Sequence, residues 1–210
     1  MPITLRSESM DPVDAPRLPL LPPGSLTEPQ RELYDRVAGG PRADGPFAVT
    51  DADGALTGPF NALLFAPEIG GPLGRLGEAI RYGGSLSDRL REIAILTVAA
   101  HHRSDFEWYA HERVGEQVGL TEAEMQQIRR GEPLEHPSEE EATTVAFCRA
   151  VVHDRDVDDV LYDRAVTLLG HPTMVELVVL VGYYQALALL LSVFRVGSPE
   201  SVTWPSQPDG

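Results

Sequence analysis

Six ionisable side chains crowd into one stretch of this sequence. Glu92, His101, His102, Asp105, Glu107 and His111 all lie between Ser87 and Gly119, interleaved with Leu, Ile, Val, Ala, Phe and Trp. Glu107 and His111 stand four residues apart, so on a helix they share a face and can touch. A carboxylate beside an imidazole fixes its tautomer and raises its pKa toward neutrality, which suits a general acid or base. These two residues, with Glu92, are the candidate catalytic groups. Trp108 would add an apolar wall, and His101 and His102 polar contacts to a substrate. Asn61, Tyr183 and Tyr184 are further candidates for lining a pocket.

Each of these residues also has a plainer reading. Glu107 and His111 could be an exposed helix pair worth a few tenths of a kcal/mol. Glu92, next to Arg91 and among Ile93, Ala94 and Leu96, is either solvent-facing or a buried acid. His101 and His102 end a helix, where the dipole favours imidazolium without any function. Asn61 could cap a helix, and the two tyrosines could pack at an interface. His101, His102, Asp105 and His111 are possible metal ligands, but no HExxH-type spacing joins them. The expectation is a site without metal or cofactor.

Two helices must hold this group, SDRLREIAILTVAAHH and DFEWYAHERVGEQVG, joined by a turn at Arg103 to Asp105. Ser87 caps the first and Gly119 closes the second. Upstream, Thr27 caps TEPQRELYDRVAGG, with Leu33, Tyr34 and Val37 as its apolar stripe. Gly40 to Pro59 reads as loop, with one short extended piece at Phe47 to Thr50. Asn61 opens another helix. The next begins near Pro67 and spaces Ile69, Leu73, Leu76 and Ile80 as an apolar face. Its glycines at 70, 71, 74 and 77 point either to close approach of a backbone or ligand or to ordinary tight packing.

Downstream, Thr121 with Glu124 and Ser138 with Glu141 are capping boxes. Asp158 to Leu169 forms a helix that Gly170 ends, and Pro172 opens a long apolar one reaching Phe194. No strand pattern or repeat emerges, which predicts an all-α fold of several antiparallel helices. The expected organisation is a proline-rich arm over 1–26, one helical domain over 27–199 and a polar tail over 200–210.

The 210 residues carry a net charge of −15. That surface repels nucleic acid and anionic lipid, so neither is an expected partner. Cys148 is alone, which rules out an intramolecular disulfide, a CxxC pair and a thiolate metal cluster and fits a reducing cytoplasm. The first residues have no apolar signal-peptide core. Leu177 to Val193 only just reaches the roughly 17–25 residues of a membrane span and contains Gln185. It reads better as a buried helix.

GPFNALLFAPEIG, LSDRLREIAILTVAAHHRSDFEWYAHERVGEQVGLTEAEM and ELVVLVGYYQALALLLSVF together resemble the carboxymuconolactone decarboxylase family, whose superfamily includes the alkyl hydroperoxidase D-like proteins. The resemblance implies a multi-helix bundle of the alkyl hydroperoxidase D-like type that assembles as a homo-oligomer (dimer, trimer or hexamer). It also implies an active site built on the hairpin. In the thiol branch a glutamate precedes a CxxC pair, and a histidine follows the second cysteine after three residues. Glu92 and His111 match that glutamate and histidine at the same separation, while Ser104 and Glu107 occupy the cysteine positions. A disulfide-cycling peroxidase needs both thiols, so that route does not carry over.

The decarboxylase branch implies a lyase acting on a small carboxylated molecule without thiol or metal. A proton must quench the enolate-like charge left by CO2, and the sequence reading gives that role to His111, aided by Glu107 or Glu92. The rivals are peroxidase-type activity by a route without CxxC, and a non-catalytic oligomeric binding protein. One geometric obstacle stands in the hairpin: Glu92 lies further from the turn than His111 does. At about 1.5 Å rise per residue the mismatch is several ångströms; either helix crossing closes it or the partners come from different places.

Overall fold

The computed structural model describes residues 15–43 and 45–206. It shows an all-α chain: α1 (Glu28–Ala38), α2 (Pro59–Leu64), α3 (Pro67–Tyr82), α4 (Asp88–His102), α5 (Asp105–Gln117), α6 (Glu122–Arg129), α7 (Glu139–Asp154) and α8 (Asp159–Val193). The helix starts follow local hydrogen-bond chemistry. Ser87, Thr121, Ser138 and Asp158 each accept a first-turn amide from three residues on. In α6 and α7 the bond is reciprocated, Glu124 and Glu141 accepting from the capping residue's own amide at 2.8 Å.

α4 is the axis. Every residue from Arg91 to Ala99 is buried, so its apolar residues face neighbours on all sides. Three apolar clusters fill the fold, and α4 contributes to the first and third. One joins α4 to α7 and α8 through Ile95, Val98, Phe147, Leu177 and Leu180. A second gathers Leu33, Phe47, Leu64, Phe106 and Val114 from α1, the loop after it, α2 and α5. The third packs Ile93, Leu96 and Trp108 against Met125 and Ile128 of α6.

Both ends of the described chain are tied to this body. Asn61 accepts from the Leu21 amide and donates to the Pro19 carbonyl, both at 3.0 Å. Its buried amide thus holds the arm; the helix α2 that carries it is capped by Gly58. The Arg17 amide donates to the Phe194 carbonyl at 2.9 Å. At the other end Val202 and Trp204 pack on the third cluster, so the segment read as a polar tail is anchored by its apolar members. The parts of the arm and tail at 1–14 and 207–210 lie outside the described residues.

Three further differences have local causes. The extended piece near Phe47 to Thr50 becomes an isolated antiparallel bridge, Thr50 to Leu56, too short to build a sheet. Gly170, at φ 77° and ψ 159°, does interrupt the helix as expected, but helical turns resume at once, so both halves belong to α8. On α3, Ile69 is 68% and Leu76 39% exposed, and the glycines face inward instead. A Cβ on Gly70 would sit 2.7 Å from the Leu63 carbonyl oxygen, and one on Gly77 would sit 2.2 Å from the Tyr183 hydroxyl. Close approach is therefore what these two glycines allow. By length and composition α8 could cross a membrane, but half of its most apolar window is buried in the fold.

Candidate functional site

α4 and α5 cross closely enough to remove the obstacle in the hairpin. Nδ1 of His111 lies 2.7 Å from Oε2 of Glu92, with both side chains buried. With the carboxylate as acceptor, Nδ1 carries the proton and Nε2 keeps its lone pair. Arg91 stands on the other side of Glu92, its Nε 3.8 Å from Oε1. Burial is the largest influence on His111 and lowers its pKa. Glu92 pulls the other way, and Arg81 and Arg91 add to the lowering. The expected rise is thus reversed, because desolvation of the imidazolium outweighs one carboxylate. The ring is neutral at pH 7.

Glu107, one turn before His111 on α5, is buried to 3% exposure. Neither carboxyl oxygen has a hydrogen-bond partner among the described residues. Burial pushes its pKa up to about 8, with the Ser104 hydroxyl pulling it down only in part. Glu107 is a protonated acid at neutral pH, and its ordinary role as an anion beside an imidazole is taken by Glu92. Two groups on one face of α5 therefore hold opposite proton states, the acid loaded and the base empty. Environments that separate pKa values in this way assign acid and base roles.

Both groups line a small, partly open cavity of about 30 Å³ with Arg42, Arg81, Phe47, Phe60, Phe106, Tyr183 and Tyr184 among its walls. A space of this size holds about two waters. It lies at the seam between the first and second apolar clusters, which contribute the tyrosines and the phenylalanines respectively. Tyr184 stands edge-on to the His111 ring at 5.1 Å between centroids. Burial raises the pKa of both tyrosines, so they stay neutral hydroxyl groups.

Of the residues read from the sequence, the structure brings together Glu92, Glu107, His111, Tyr183 and Tyr184. It places four elsewhere. Asn61 is used on the arm. Trp108 points away from the cavity into the third cluster, because residues 107 and 108 face different sides of a helix. His101 packs edge-on to His153 at 4.4 Å and to His102 at 4.8 Å. His102 borders a separate outer cleft of about 540 Å³ with Ser104, Asp105 and Arg195. Both histidines have lowered pKa values through burial, with like-charge neighbours adding to the effect at His101. The imidazolium that the dipole argument favours is therefore opposed. Among the described residues no three His, Cys, Asp or Glu side chains gather as a metal site would require.

Arg42 and Arg81 were missed. Arg42 sits in a loop and Arg81 in the last turn of α3, where an arginine reads as a partner of the helix dipole. The available signal was Gly77, four residues before Arg81 and hence on the same face. That face touches Tyr183, and Arg42 Nη2 would meet a Cβ there at 2.7 Å.

Residues 67–132 match the model of the carboxymuconolactone decarboxylase family. This stretch runs from α3 through α6. It contains Arg81, Glu92, Glu107 and His111, whereas Arg42, Tyr183 and Tyr184 reach the cavity from outside it. Among solved structures, the chain resembles a protein of unknown function from Agrobacterium tumefaciens, described as a candidate antioxidant defence protein AhpD. The TM-score is 0.62 at 16% identity, covering 67% of this chain and 97% of that one. It also resembles an uncharacterized peroxidase-related protein with an alkylhydroperoxidase AhpD core from Ralstonia eutropha. There the TM-score is 0.69 at 12% identity, covering 88% of this chain and 93% of that one. At these identities the likeness is one of fold. A search among curated proteins gave no match.

Proposed function

We propose that this chain is a cofactor-free acid/base enzyme acting on a small carboxylated molecule, by decarboxylation or by lactone/enol isomerisation. The observation that supports this most is the pair on α5, a neutral His111 and a protonated Glu107 facing one small cavity. In a decarboxylation, the bond from carbon to the carboxylate breaks and its electron pair enters an enolate. CO2 leaves, and the Glu107 hydroxyl delivers its proton to the carbanionic carbon. In an isomerisation, Nε2 of His111 removes a proton beside the carbonyl and Glu107 supplies one at the far end of the conjugated system. Glu92 holds the imidazole in the tautomer that leaves Nε2 free. The proton donor is thus Glu107, with His111 as base, rather than His111 as the spacing alone suggested.

A thiol route finds no support. Cys148 is fully buried and its thiol is pushed up to about 12 by burial, far from a reactive thiolate. Assembly into a homo-oligomer is part of the proposal.

A panel of carboxylated lactones in deuterated buffer, followed by mass spectrometry, tests the chemistry. Solvent deuterium should enter the product at one carbon. Glu107→Gln and His111→Ala should each lower turnover by about 10²–10⁴-fold. Turnover in both variants equal to that of the parent chain would sink the reading.

A further inference from the structure

Arg81 is a cation partly withdrawn from water, and among the described residues no carboxylate forms an ion pair with it. Its Nε has no hydrogen-bond partner either. Buried charges in folded proteins are normally paired or hydrogen-bonded; this half-buried guanidinium overlies the Tyr82 ring at 5.9 Å but has no anionic partner among the described residues. Glu107 cannot supply it, being neutral, and Glu92 is turned toward His111 and Arg91. Arg42, 6% exposed, faces the same cavity and touches Glu78 only through one contact of 3.4 Å.

We infer that Arg81 and Arg42 form an oxyanion cradle that takes the planar, negatively charged end of the ligand, with Glu107 donating to the same group. This deepens the acid/base reading and rests on it for the chemistry, though the binding step can be measured alone. The cavity of about 30 Å³ sets the size. It accepts a group of two or three heavy atoms, such as one carboxylate, and leaves the rest of a larger molecule outside. A forked guanidinium presents parallel N–H donors that match a carboxylate's two oxygens. The glutamic acid can add a donor only because it keeps its proton. Tyr183 and Tyr184 line the same cavity, and Gly77 is the position that lets the Tyr183 hydroxyl and Arg42 come so close.

The probes are formate and formamide, two molecules of three heavy atoms that differ in charge. Formate titrated into the full chain at constant ionic strength should shift the His111 imidazole resonances saturably, and formamide should bind at least tenfold more weakly. Arg81→Gln should weaken formate at least tenfold, and Arg42→Gln by a smaller factor. His111→Ala should retain formate binding, read as a rise in melting temperature over that given by formamide. Binding kept in that variant while turnover is lost would separate recognition from chemistry. Formate and formamide binding alike in the unaltered chain would overturn the cradle, and this comparison needs no variant to fold. So would a folded Arg81→Gln protein with unchanged affinity for formate.

Discussion

The two flanks of α5 both bury polar atoms without partners, and they resolve the problem in opposite ways. On one flank Trp108 is 1% exposed and its indole N–H has no hydrogen-bond partner among the described residues. Trp204 crosses it edge-on at 5.6 Å, and the Arg129 guanidinium lies over both rings at 5.3 and 5.2 Å. Aromatic area and a cation fill this space. On the other flank Glu107 is equally without partners. An indole keeps its N–H at any ordinary pH, whereas a carboxylic acid can change its charge. The same lack of partners is therefore a fixed cost at Trp108 and a stored proton at Glu107.

The largest way to expose that difference is pH. Glu107 titrates near 4.5 when unfolded and at about 8 when folded. Its folded value is raised, so its contribution to stability is full below pH 4.5 and is lost as pH rises through about 8. At about 1.36 kcal/mol per pH unit, the gap amounts to roughly 5 kcal/mol. His111 works in the reverse direction. Its folded value is lowered, so its contribution is present above about pH 6.5 and declines as pH falls below that. Glu107→Gln should flatten the fall in stability between pH 5 and 8, as measured by urea unfolding at several pH values. At pH 8 the variant should be more stable than the parent chain. A parent curve already flat over that range would mean that Glu107 is ionised in the fold.

The Trp108 flank should show no such slope. Trp108→Ala should cost about 3–5 kcal/mol, the usual range for emptying a buried tryptophan site. The remaining pH dependence and the response to formate should be unchanged, because the tryptophan and the cavity lie on different sides of α5. Coupled losses in both properties would show that the flanks are not independent.

What the sequence made legible tracks what is encoded locally. The capping boxes at Thr121 and Ser138, the stop at Gly119 and the i to i+4 placement of Glu107 and His111 depend on neighbours a few residues away. So does the all-α architecture. The α3 face was half right: Leu73 and Ile80 pack on the core, whereas Ile69 and Leu76 give way to glycines whose use depends on Leu63 and Tyr183, both set by the tertiary fold. The proton states were misjudged for a similar reason. Spacing shows that a carboxylate and an imidazole can meet, but it does not show how much water remains. Desolvation, which dominates both Glu107 and His111, is a property of the whole packed seam. Arg42 and Arg81 were invisible because no local pattern brings a loop and the end of α3 to the same cavity.

The smallest expected effect lies where the two flanks join. Ser104 precedes α5 as its N-cap residue, yet its side chain caps no amide. It is 7% exposed, and its hydroxyl favours the ionised form of Glu107. Removing an uncapping hydroxyl from a buried site should change stability by no more than about 0.5 kcal/mol, unlike the loss of a working N-cap. Ser104→Ala should nevertheless move Glu107, because burial would then act without the one neighbouring hydroxyl that opposes it. The alkaline limb of the stability curve, and of any turnover profile, should shift to higher pH while the Trp108 flank stays as it was. An unmoved limb would mean that the serine hydroxyl has no influence on Glu107, and that another group sets how firmly the acid holds its proton.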